Sequence, residues 1–95
     1  MALQTTFSSV PQIAVQLVNA TVPTVAANTV TESSYTVAQA LPEMTYLISC
    51  AGLPTSLTWG NVTCSAAGTI KIRWVNATTG NITGNSTTTI NVLGL

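Results

Sequence analysis

The chain contains no histidine and no aspartate, and its whole stock of charged side chains is Glu32, Glu43, Lys71 and Arg73. Without His or Asp there is no Ser-His-Asp triad, no imidazole-based metal site and no aspartate pair. Serine and threonine hydroxyls are plentiful, but a hydroxyl needs an adjacent base to become a nucleophile. The only bases on offer are two glutamates and Lys71, in no recognisable arrangement. A glycosidase would have to draw its two carboxylates from Glu32 and Glu43, whose ordinary readings are a strand surface and a turn. No enzymatic activity, metal or cofactor is expected. Long apolar runs are missing too. None exceeds four residues, as in Val25-Ala26-Ala27, against the ~20 needed for a membrane-crossing helix. No basic cluster exists to displace counterions from phosphates, which argues against nucleic-acid binding. No Lys or Arg precedes Lys71, so the opening residues lack the basic n-region of a secretory signal.

What remains is a chain of 95 residues, 46% hydrophobic and 4% charged, with formal net charge zero. Its length fits one domain. Disordered chains are apolar-poor and charge-rich, the reverse of this composition. A soluble domain ordinarily carries about 25% charged residues, and a chain with no net charge has nothing to repel a second copy. Polarity is supplied instead by 18 Thr, 8 Ser and 7 Asn. Threonine is stiff at χ1 and favoured on pleated surfaces. The composition therefore implies a β domain with a hydroxyl-rich exterior, largely covered by neighbouring copies or partners. With only five aromatic residues the core has little margin over chain entropy, and oligomerisation is the natural supplement.

The apolar pattern has period two almost throughout, which reads as strands. Ile13, Val15 and Leu17 alternate with Ala14 and Gln16 in a first strand over about 12–20. Pro11 and Pro23 bracket it, placing it at a sheet edge or in an arm. A second strand is expected over 28–37. A third runs from Met44 to Cys50, with Met44, Tyr46, Ile48 and Cys50 on one face, and Gly52 and Pro54 mark the loop after it. Val37 to Leu41 is too short before Pro42 to be more than a turn. The stretch from Asn76 to Ser86 is a turn-rich loop around Gly80 and Gly84, and a last strand follows at Thr87–Leu93. The fold class is all-β: a single antiparallel β-sandwich or small barrel of about six to eight short strands. Residues 1–25 form an N-terminal arm or edge strand, and 26–95 the sandwich.

The fourth and fifth strands, between Leu57 and Val75, are the most informative. Val62 and Cys64 share one face of the fourth; Ile70, Ile72 and Trp74 share one face of the fifth. For both sets to face the core, opposed residues must sum to an even number. That requires an odd loop of three or five residues within Ser65–Thr69, with Gly68 available for a positive φ. Lys71 and Arg73 then project from the outer face. They either guard it against edge pairing or meet Glu32 and Glu43 across an interface, where the gain is orientation more than affinity. The candidate interface residues are accordingly Ile13, Val15, Leu17, Glu32, Glu43, Lys71 and Arg73.

Three further features have ordinary readings. Cys50 and Cys64 are too few for zinc; they are small buried hydrophobes or, in an oxidising compartment, a disulfide. Asn-X-Ser/Thr sequons begin at Asn19, Asn61, Asn76, Asn81 and Asn85, and a chain so rich in Asn and Thr produces them by chance. Trp59 and Trp74 serve as core or interface anchors, the alternative being a sugar-stacking platform.

Two segments carry a resemblance: Thr29-Val-Thr-Glu-Ser-Ser-Tyr-Thr-Val37, and Gly60-Asn-Val-Thr-Cys-Ser-Ala-Ala-Gly-Thr-Ile-Lys-Ile-Arg-Trp-Val-Asn76, with the short Asn81-Ile82-Thr83 after them. They are similar to small β-sandwich virion proteins of tailed bacteriophages, of the capsid decoration (cement) and head-fibre type, over roughly 24–93. The resemblance implies a non-enzymatic structural protein on the capsid surface, made in the host cytoplasm. Its partners would be the major capsid protein and further copies of itself, in a homotrimer. The N-terminal segment would then add a strand to a neighbour's sheet. The competing expectation is a carbohydrate-binding or adhesive surface module.

Overall fold

The structure, a computed structural model, describes residues 13–95. Six strands follow one another: β1 (Ile13–Val22), β2 (Thr29–Thr36), β3 (Tyr46–Ala51), β4 (Thr58–Ala66), β5 (Thr69–Asn76) and β6 (Asn85–Gly94). They form two antiparallel three-stranded sheets, ordered β1-β6-β3 and β2-β5-β4. Two separate sheets packed face to face make this a small β-sandwich, and the barrel alternative falls away.

The middle strand of each sheet, flanked on both sides, carries the most completely buried side chains of its sheet. Ile70, Ile72 and Trp74 of β5 and Thr88, Ile90 and Val92 of β6 are completely buried, alternating with outward residues. The third strand behaves as its alternation requires, with Tyr46 buried and Ile48 and Cys50 half-buried. The two sheets are tied on their β1/β2 side through one hydroxyl. Tyr35 Oη donates to the Thr21 carbonyl at 2.7 Å and accepts from Trp74 Nε1 at 3.2 Å. The two rings meet edge to face, 6.5 Å apart at 87°.

The β4–β5 connection corrects one expectation. Its loop is only Ala67-Gly68, between Ala66 and Thr69, and Gly68 takes φ 87°. An even loop would flip one strand, yet Val62 opposes Ile72, an even sum, as the core requires. The difference is absorbed inside β4, where Cys64 and Ser65 together oppose Ile70 in a bulge. A second irregularity sets Gly60 and Asn61 against Arg73. Both lie on an edge strand, where bulges also discourage pairing with another chain. The turn is pinned to the preceding loop, Gly68 N–H donating to the Ala40 carbonyl and Val37 N–H to the Gly68 carbonyl.

The loop after β5 is more structured than its composition suggests. Asn76 is buried, and its amide donates to the carbonyls of Val25 (2.9 Å), Ala26 (3.2 Å) and Gly80 (2.8 Å). Its Oδ1 accepts from Thr78 N–H (2.9 Å) and Oγ1 (2.6 Å). Ile82 then makes a two-residue bridge with Val25, not a strand of its own. At Gly84 a Cβ would run into the Val22 carbonyl and the Pro23 backbone, so only glycine lets β6 begin so close to the end of β1.

Candidate functional site

β1 is an edge strand of the sandwich, paired with β6 from Ile13–Gly94 to Val22–Asn85. Of the arm and edge-strand alternatives, residues 13–22 are therefore edge strand; Pro11 and the rest of 1–12 lie outside the described residues. This pairing turns three of the expected interface residues inward. Ile13 is in the core, and Val15 and Leu17 are half-buried on the same inward side. The physical reason is that the more apolar parity of an edge strand is claimed by its own domain's core first. The side chains β1 offers outward are Ala14, Gln16 and Val18.

The two outer faces of the sandwich differ in kind. On the β2-β5-β4 sheet, Glu32 stands directly opposite Arg73, and Lys71 lies between Ser34 and Thr63. Three of the chain's four charged side chains thus share one face, with Arg73 cross-strand from Glu32 and Lys71 flanked by hydroxyls. An exposed cross-strand pair of this kind contributes about 0.2–1 kcal/mol. Glu43 is exposed in the turn before β3, outside these rows.

Among the described residues, the outer face of the β1-β6-β3 sheet carries no charged side chain. The register lays it out in three rows: Ala14, Leu93 and Leu47; then Gln16, Asn91 and Ser49; then Val18 at the β1 bulge, Thr89 and Ala51. Leu47, Leu93 and Val18 remain 54%, 38% and 62% exposed. The middle row is a hydrogen-bonded ladder, Gln16 Nε2 donating to Asn91 Oδ1 at 3.1 Å and Asn91 Nδ2 to Ser49 Oγ at 3.3 Å. Along the β1–β6 seam runs an open groove of about 250 Å³, lined by Ala14, Val15, Gln16, Asn91, Val92 and Leu93.

The remaining chemistry-bearing residues are occupied structurally. Cys64 is buried and Cys50 half-buried, both as free thiols, and burial pushes the Cys50 thiol up to about 11. Burial likewise raises Tyr35 and Tyr46, whose hydroxyls are engaged by Thr21 and Trp74 and by the Leu41 backbone. Trp74 is fully buried and Trp59 is 38% exposed at the β4 edge, so no two-tryptophan platform forms. Among the described residues no group of three or more His, Cys, Asp or Glu is placed to hold a metal. The sequon asparagines also have local roles. Asn76, Asn81 and Asn85 bond the backbone of neighbouring loops, and Asn19 adopts φ 55° in the β1 bulge.

Compared with known proteins, the chain matches no family model, no curated protein and no solved structure. The class that the fold defines is a small antiparallel β-sandwich.

Proposed function

We propose that this chain is a non-enzymatic structural module of a phage virion, decorating and cementing the outside of the capsid shell through contacts between β-sandwiches. The observation that carries this reading is the segregation of charge: one outer face holds Glu32, Lys71 and Arg73, while the other holds none and exposes Leu47, Leu93 and Val18. Burying a charge in a protein contact is costly unless it is paired and hydrogen-bonded. A face without charge meets a neighbour without that cost, and its Gln16–Asn91–Ser49 ladder supplies polar groups already partly satisfied. A cementing protein needs many such contacts and no chemistry, and the best-connected polar side chains of this chain, Asn76, Thr78, Asn85 and Thr88, hold its loops and sheets together.

The test is quantitative mass spectrometry of purified virions from the source of the sequence. The expected result is this chain at a fixed number of copies per major capsid protein, released with the shell rather than with the genome. Its absence from purified particles, with the protein present in the infected cell, overturns the proposal.

A further inference from the structure

We infer that the uncharged face of the β1-β6-β3 sheet is a contact between two copies of this chain, packed face to face about a twofold axis lying along the Gln16–Asn91–Ser49 row. The inference concerns the same uncharged face that carries the virion reading and names a second copy as its occupant in solution.

Charge selects the partner's face. Apposing this face to the β2-β5-β4 face of another copy would strip water from Glu32, Lys71 and Arg73 against a surface with no counter-charge. Apposing it to itself desolvates no charge at all. Shape points the same way. A twofold along the middle row carries the first row of one copy over the third row of the other. Leu47 then lies over Ala51, Leu93 over Thr89, and Val18 over Ala14, so that every large side chain meets a smaller one. Asn91 falls on the axis against its own counterpart, flanked by Gln16 and Ser49, whose spare donors and acceptors face the same groups in reverse. The two sheets keep their strands nearly aligned, as packed sheets do, and the charged faces point away from each other.

The size of the face sets the strength. Three strands ~4.8 Å apart, over five residues at ~3.3 Å each with their side-chain margins, cover roughly 250–300 Å². A standard interface buries about 800 Å² per partner. The contact is therefore weak and concentration-dependent for an isolated pair, and gains strength when copies are held near one another.

Sedimentation velocity on the full chain over a concentration series tests it. The expected result is a shift from the 9.8 kDa monomer towards twice that mass as concentration rises. Leu47→Lys and, separately, Val18→Lys should abolish the shift while the far-UV circular dichroism stays unchanged. Thr36→Lys, on the charged face, should leave it intact. Both lysine sites are more than half exposed, so folding is preserved in at least one. A monomer at all concentrations overturns the inference, as does a dimer or trimer that persists in the lysine variants. So does a monomer whose face instead binds purified shells and loses them on Leu47→Lys. Absence of the chain from virions would refute the virion proposal without touching this result.

Discussion

Replacing Asn76 by alanine is the sharpest test of how this small sandwich is held together. The side chain is 1% exposed; its two amide N–H groups are shared among three carbonyls and its Oδ1 accepts two hydrogen bonds. Without Asn76 each of the three carbonyls still finds a donor: Val25 accepts from Ile82 N–H and Ala26 from Thr29 Oγ1, and the Thr78 hydroxyl, released from Asn76 Oδ1, turns to Gly80. The loss is therefore closer to the net worth of the bonds, about 0.5–1.5 kcal/mol each, than to full desolvation of every partner. Only the Thr78 N–H is left without an acceptor. With allowance for non-additivity within one network, Asn76→Ala should cost about 3–4 kcal/mol. A domain of this length has roughly 5–14 kcal/mol in total, so the melting temperature should fall by roughly 15–25 °C. Asn76→Asp should be worse than alanine at neutral pH, since a carboxylate would face three carbonyl oxygens. That arrangement raises its folded pKa above the ~3.9 of an unfolded aspartate, so the electrostatic part of its penalty is absent below about pH 4 and grows as pH rises. Urea unfolding of both variants is the assay. A cost below about 1 kcal/mol for Asn76→Ala, or an Asp variant as stable as wild type at pH 7, would refute the reasoning.

Tyr35→Phe removes the hydroxyl that joins β2 and β5 to β1 and orphans the fully buried Trp74 N–H. A loss of about 1–3 kcal/mol is expected, and Trp74→Phe in the same background should cost less than the two singles summed, read by urea unfolding. Alkaline pH should destabilise the fold. Burial lifts Cys50 from 9.0 to about 11 and raises Tyr35 and Tyr46, so the unfolded chain ionises first and the native state holds more protons. The urea midpoint should therefore be flat with respect to these groups below about pH 8 and fall as pH climbs through 9 to 11; a midpoint that rises over that interval contradicts it. Alkylation of Cys50 in the native protein at pH 7 should be correspondingly slow.

The strands were readable because alternation is a local property: Ile70, Ile72 and Trp74 announce the inner face of β5 wherever that strand ends up. Parity pairs Val62 with Ile72 but leaves the loop length open, because loop residues and bulges enter the same sum and only the sum is constrained. Asn76 was invisible as a structural residue. Its carbonyl partners Val25 and Ala26 lie 51 and 50 positions away, and nothing local distinguishes it from the other asparagines. That Ile13, Val15 and Leu17 turn inward was illegible for a related reason. Alternation says which residues share a face, but which face looks inward depends on the strand's neighbours. The uncharged rows of the β1-β6-β3 sheet become apparent only when β6, last in the chain, is inserted between β1 and β3.

The bulge at Cys64–Ser65 and the two-residue turn beside it act as a matched pair of spacers. Removing one residue from the bulge alone turns Cys64 and everything before it in β4 inside out, and adding one to the turn alone does the same to the strand that follows. Made together, the two changes cancel, and every side chain from Trp59 to Trp74 keeps its side of the sheet. In this hairpin, length variation is tolerated only as compensating insertions and deletions, so relatives of the chain should differ here in pairs or not at all.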